Sequence, residues 1–180
     1  DDIINGQGTI ALEILEKLSN PSYFLASIGG GSMIASNSLV FHELSAKTKV
    51  LGFQTYGADA MFKSLEADDL VKIPHITSQV ESFATKYVSQ KTFSLTKKYV
   101  SEIIRMQDQE CVDASIFMLE RANILIELSA SVCVAALLKK KFIFNPSDKI
   151  VITLCGGNYD LGVLSKQIIL NKNVNKNPCQ

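Results

Sequence analysis

The run Tyr23-Phe24-Leu25-Ala26-Ser27-Ile28-Gly29-Gly30-Gly31-Ser32-Met33-Ile34-Ala35 decides the fold. Tyr23 to Ile28 is apolar, short and without alternation, which suits a strand buried on both faces of a parallel sheet. The glycines turn the chain, and Met33 to Leu44 reads as a helix. Upstream, Thr9 is expected to cap a helix running to about Ser19, which Asn20-Pro21 stops. Downstream come a strand at Lys49 to Phe53 and a short helix near Ala58 to Leu65. Residues 66–90 show no period and read as loop. Tyr99 to Met106 resembles a strand. Asp108 to Asn123 is an amphipathic helix with Val112, Ile116 and Leu119 on one side and Asp108 as its expected N-cap. Ser129 to Lys141 reads as a buried helix ended by Asn145-Pro146. Asp148 to Leu154 is a strand that runs into Cys155-Gly156-Gly157-Asn158. A last helix is expected at Leu161 to Leu170, and the Asn/Lys-rich tail from Asn171 reads as loose. Alternating helices and apolar strands predict an α/β fold with an open, mostly parallel sheet.

The 180 residues suffice for one domain of ordinary size, and 47% apolar with 20% charged residues is a globular composition. Eighteen basic residues balance eighteen acidic ones, and no polybasic stripe points to nucleic acid. The stretch from Ala122 to Leu138 is too short and too polar to span a bilayer. Cys111, Cys133, Cys155 and Cys179 are far apart, with no C-x-x-C and no histidine pair, so the pattern favours neither a metal site nor a disulfide framework and fits a reducing cytoplasm. His42 and His75 are isolated and expected on the surface. The chain opens at Asp1, without methionine and inside patterned sequence, and so reads as a fragment or processed product.

Ligands of such sheets sit at the carboxyl ends of strands, and both glycine clusters fall there. Consecutive glycines before a helix let bare N–H groups converge on a phosphate, with the helix adding its positive end. The alternative is a tight turn that binds nothing. A dinucleotide site fits poorly, because position 34 is isoleucine and no acidic residue closes the next strand. Cys155, at a strand end, can face a bound ring, with Gly156 and Gly157 allowing close approach. Its alternative is a buried cysteine in a simple turn.

Taken together, these residues resemble the serine/threonine dehydratase and serine racemase branch of the fold-type-II pyridoxal-phosphate enzymes. The resemblance covers Ile4-Asn5-Gly6-Gln7-Gly8-Thr9-Ile10-Ala11, Gly29-Gly30-Gly31-Ser32-Met33, Gly57-Ala58-Asp59-Ala60-Met61, Leu119-Glu120-Arg121, Ile126-Glu127, Ala135-Ala136-Leu137-Leu138 and Cys155-Gly156-Gly157-Asn158. It implies a three-layer, mostly parallel sheet of the tryptophan synthase beta type, here incomplete. Residues 1–170 would be the C-terminal part of the large domain and 171–180 a tail. The small domain and the Schiff-base lysine would be absent, since Lys63, Lys86 and Lys91 do not match the family's Ser-x-Lys-x-Arg-Gly motif. A sheet so truncated is expected to expose apolar edges.

The same resemblance implies pyridoxal 5'-phosphate as cofactor, its phosphate on Gly29, Gly30, Gly31, Ser32 and Met33, and Cys155 at the pyridine nitrogen. Glu127 would lie near the active site; alternatively it is a helix-end charge paired to a neighbour. The substrate would be serine or threonine, eliminated to a 2-oxo acid and ammonia, in an enzyme that is commonly a homo-oligomer. Three departures point to a degenerate, non-catalytic binding module instead. Ser32 stands for the family's fourth loop glycine, costly if that residue must be left-handed, and Ser36 and Ser131 also replace glycines. Acidic residues that bind a cation in some relatives map to Gln54 and Ala60, so no metal is expected there.

Overall fold

In the computed structural model the described residues are 2–80, 83, 85–157, 160, 162, 165, 166, 168 and 169. They form helices α1 (Asp2–Lys17), α2 (Ser32–Leu44), α3 (Ala60–Ala67), α4 (Gln90–Tyr99), α5 (Asp108–Ala122) and α6 (Leu128–Leu138). The strands are β1 (Tyr23–Ser27), β2 (Lys49–Thr55), β3 (Glu102–Met106) and β4 (Ile150–Ile152). The sheet order is β3-β2-β1-β4, every pairing parallel. Neighbouring side chains on each strand go to opposite faces. Phe24, Ala26, Val50 and Ile103 pack with Ile34 and Phe41 of α2 and Phe93 of α4. Leu25, Leu51, Phe53 and Met106 pack with α5 and α6. The parallel sheet expected from the apolar strands is present, and helices cover both of its faces, as the family resemblance implied.

Several boundaries differ from the sequence reading. Helix α1 begins at Asp2, because Gly6 and Gly8 are helical, and Thr9 caps nothing: its hydroxyl donates to the Gly6 carbonyl at 2.8 Å. Gly8 is kept small by α2, since an added Cβ would stand 3.3 Å from Val40. Tyr99 belongs to α4 and not to a strand. That helix buries Thr92, Phe93 and Thr96, a stripe with one large apolar residue, so it leaves little hydrophobic period to read. Asp108 is the first residue of α5 and not its cap. Its carboxylate takes the Ser78 hydroxyl at 2.7 Å and the Gln79 amide at 2.6 Å, tying down the loop before α4. Between Asp68 and Ser89 the described residues form no α-helix or strand, as expected. Strand β4 is shorter than 148–154, although the Thr153 amide still donates to the Leu25 carbonyl at 3.1 Å. The helix expected at 161–170 and the tail beyond it lie outside the continuously described stretches. His42 and His75 are exposed.

Burial pushes the Cys111 thiol far up, with Asp108 next in effect, and burial does the same to the fully enclosed Cys133. Unfolded thiols ionise near pH 8.5 while these two stay protonated, so above that pH the folded chain binds more protons than the unfolded one. Stability is therefore expected to fall with rising pH by about 1.4 kcal/mol per unit for each thiol. Urea midpoints at pH 8 and pH 10 measure it, and Cys133→Ala should flatten the dependence.

Candidate functional site

Chain order and strand order together mark one place on the sheet. From β1 the chain moves to β2 and β3 on one side, then returns to place β4 on the other side of β1. The intervening helices change face at the same point: α2 lies on the Phe24 face, α5 and α6 on the Leu25 face. Such a reversal leaves a crevice between the carboxyl ends of the two diverging strands, where ligands of open α/β sheets bind. Here those strands are β1 and β4, and the segments leaving them are Ile28 to Gly31 and Thr153 to Cys155.

A crevice of about 290 Å³ lies there, lined among others by Ser27, Gly29, Gly30, Gly31, Ser32, Met33, Glu127 and Cys155. All seven residues singled out in the sequence meet in it. The left-handed residue of the turn is Gly31, at φ +91°. It is the N-cap of α2 and has no side chain to satisfy the first helical amides, which are free to meet an anion. Ser32 is helical and absent from the positive-φ residues, so serine carries no backbone penalty at that position. The other two glycine replacements are equally well accommodated. The Ser36 hydroxyl donates to the Ser32 carbonyl at 2.7 Å, and the Ser131 hydroxyl donates to the Cys111 carbonyl at 2.7 Å. None of the three serines conflicts with the backbone or packing around it.

On the opposite wall, Glu127 is the N-cap of α6. Its amide donates to the Gly156 carbonyl at 3.0 Å, and its carboxylate accepts from the Ser129 hydroxyl at 2.5 Å. Glu127 thus lies in the crevice and is also partnered at a helix end. Gly156 is left-handed at φ +83°, and an added Cβ would stand 2.2 Å from the Glu127 carboxyl carbon. Cys155 is exposed and not the buried residue of a closed turn. Partial burial first, and the Glu127 charge second, push its thiol up. A neutral S–H therefore faces the crevice. Replacing Glu127 by Gln removes the charge, lowers the thiol's pKa and raises the thiolate fraction. Alkylation of Cys155 by iodoacetamide at pH 8, in a Cys179→Ser background, is expected to run faster in Glu127→Gln than in its parent. Asn158 lies outside the described residues.

The sequence reading missed Gln7, Ser27, Phe83 and Ser129, which also line the crevice. Ser27 was accessible as the last residue of a strand that ends in glycine. Gln7 and Phe83 arrive through the start of α1 and the irregular loop, and neither segment has a period that would place it. Away from the crevice, Gln54 is buried and uses its whole amide: Nε2 donates to the Ile28 and Ala58 carbonyls at 3.1 and 3.3 Å, and Oε1 accepts the Phe62 amide at 2.9 Å.

A family model described as pyridoxal-phosphate dependent enzyme matches residues 1–156, which include both walls of the crevice. The chain belongs to that family. It is 33% identical over 174 residues to an L-threonine ammonia-lyase of Thermotoga maritima, matching 97% of this chain and 42% of the relative. It is 29% identical to a serine racemase of Arabidopsis thaliana, over 90% of this chain and 50% of the relative. Among solved structures, the processed form of threonine deaminase isoform 2 from Solanum lycopersicum superposes with TM-score 0.86 at 27% identity, covering 94% of this chain and 47% of that one. Maize serine racemase gives TM-score 0.83 at 27% identity, covering 93% and 54%. The chain thus spans about half the length of these relatives. The fold is that of the threonine deaminase and serine racemase structures within this pyridoxal-phosphate family.

The crevice suits the family's cofactor. It offers free amides at a helix start for a phosphate, glycines that keep the approach open, and a neutral thiol on the far wall for a ring nitrogen. Among the described residues no helix is long and apolar enough to cross a membrane, and no three or more His, Cys, Asp or Glu side chains cluster as metal ligands.

Proposed function

We propose that the chain forms the cofactor-holding part of a pyridoxal-phosphate-dependent serine/threonine ammonia-lyase, which converts its amino-acid substrate to a 2-oxo acid and ammonia. The observation that carries this reading is the glycine turn and Cys155 facing one another across the point where the strand order reverses. The names of the Thermotoga maritima relative and of the tomato structure support the lyase over the racemase. In this reading residues 1–170 are the C-terminal part of a large domain. The lysine that bonds the cofactor, and the small domain that takes the substrate carboxylate, come from polypeptide outside these residues.

When bound, pyridoxal 5'-phosphate supplies an electron-withdrawing ring that stabilises negative charge at the substrate Cα. The residues of this chain hold and tune that group. The amides of Gly29 to Met33, at the positive end of α2, hold the phosphate. Cys155 offers its S–H to the pyridine nitrogen without charging it, which moderates electron withdrawal and favours loss of a β-hydroxyl. Partial burial, aided by the Glu127 carboxylate, keeps that thiol protonated, and the Glu127 amide fixes the turn through Gly156. Phe83 walls off part of the crevice from water. The enzyme would be cytoplasmic and oligomeric.

The test is release of ammonia and 2-oxo acid from L-serine and L-threonine by the full-length polypeptide that carries these residues, purified with pyridoxal 5'-phosphate. Racemisation without ammonia would overturn the lyase assignment. Cofactor binding with no turnover of either amino acid would favour the non-catalytic module.

A further inference from the structure

Asn37 lies on α2 at 0% exposure and directs its carboxamide into α1. Its Oδ1 accepts the Ala11 amide at 2.7 Å, and its Nδ2 donates to the Gln7 carbonyl at 3.1 Å and to the Met33 carbonyl at 2.7 Å. Ala11 and Gln7 are the donor and acceptor of one i→i−4 rung of α1, so a single buried side chain binds both ends of that rung. A side chain inserted into the ladder bends or opens a helix at that point. Gly6 and Gly8 flank Gln7, which makes the segment easy to deform. A neutral carboxamide suits the place: a leucine would leave both rung ends to re-pair, and an aspartate would set lone pairs against the Gln7 carbonyl.

The segment beyond this splice borders the functional crevice. Gln7 stands in its wall beside Gly29, Gly30, Gly31, Ser32 and Met33. Its backbone carbonyl is taken by Asn37, while among the described residues its side-chain amide makes no hydrogen bond. The free amide therefore borders the same turn as the unsatisfied amides of α2.

We propose that Asn37 is a positioning residue for the phosphate end of the crevice. By holding the Gln7–Ala11 rung it fixes where Gln7 stands, and the Gln7 carboxamide donates to a phosphate that the glycine-turn amides also hold. This rests on the cofactor reading given above and adds to it a phosphate donor and the side chain that aims it.

The experiment compares pyridoxamine 5'-phosphate with pyridoxamine, neither of which can form Schiff bases with lysines, by titration calorimetry on the cofactor-free, full-length polypeptide that carries these residues. In Gln7→Ala the phosphorylated ligand is expected to bind about tenfold or more weakly, as befits a lost hydrogen bond to a charged group, with pyridoxamine unaffected. Asn37→Leu should show a similar phosphate-specific loss, and the double variant should be no worse than Gln7→Ala alone, because Asn37 acts through Gln7. Unchanged affinity for the phosphorylated ligand in Gln7→Ala would overturn the proposal, and that arm needs no substitution in α2. Additive losses in the double variant would make Asn37 a structural tie only and overturn its positioning role. If the unsubstituted full-length polypeptide bound neither ligand, the cofactor reading itself would fall, an outcome distinct from the other two.

Discussion

Gly31→Ala is expected to destabilise the chain by about 2–4 kcal/mol and to remove its affinity for phosphate esters. Two costs combine. At φ +91° an alanine sits in the left-handed region, where its Cβ crowds the following carbonyl. That Cβ would also stand 2.6 Å from Met61 Cε and 3.2 Å from Thr92 Cβ. The methionine end can swing away, but Thr92 is held in the first turn of α4, where its amide donates to the Ser89 hydroxyl at 3.1 Å. Relief must therefore come from the turn itself, which re-aims the amides of Ser32 and Met33. Chemical denaturation reads the first effect and calorimetry with pyridoxamine 5'-phosphate the second. Gly30→Ala is the control, since nothing lies within 4 Å of an added Cβ there. It should leave stability within a fraction of the Gly31→Ala loss.

Phe53→Ala is expected to cost about 3–5 kcal/mol, the range for deleting a fully enclosed aromatic side chain. Phe53 is 0% exposed on an inner strand, packed among the α5 and α6 side chains, with the Phe142 ring edge-on at 6.0 Å. Its carbonyl also accepts the Ile28 amide at 2.8 Å, at the base of the glycine turn. That bond belongs to the backbone and survives the substitution. The urea midpoint should drop with little change in slope, while the folded fraction keeps its affinity for the phosphate ligand. A loss of affinity equal to that of Gly31→Ala would mean that the turn depends on the core beneath it more than the hydrogen bonds indicate.

The strands were legible because sheets buried on both faces demand uninterrupted apolar runs, which Tyr23 to Ile28 and Lys49 to Phe53 supply. The crevice was legible because glycine clusters at two strand ends have few uses other than close approach. Strand order was not legible: nothing in Ile150-Val151-Ile152 says that it pairs with Tyr23-Phe24-Leu25 and not with β3. Helix α4 was missed for want of apolar residues on its buried face, although Ser89 three residues before Thr92 is a readable cap. The start of α1 was misplaced because Gly6 and Gly8 look like loop. Gly8 is kept in the helix by close packing of α2, whereas an added Cβ at Gly6 would meet nothing within 4 Å; Asn37 bonds into the ladder between Gln7 and Ala11. Asn37 itself, a polar residue on an otherwise apolar helix face, had no local signal for its partners twenty-six and thirty positions away.

The central claim is that bare amides at the start of α2 hold a phosphate while the Cys155 thiol faces the attached ring. The most direct measurement is an amide chemical-shift titration of the ¹⁵N-labelled, cofactor-free, full-length polypeptide that carries these residues with pyridoxamine 5'-phosphate. The account predicts saturable shifts centred on Gly29 to Met33, with smaller ones at Cys155 and Glu127. Saturable shifts confined to another surface, or no shift at the glycine turn at millimolar ligand, would contradict it.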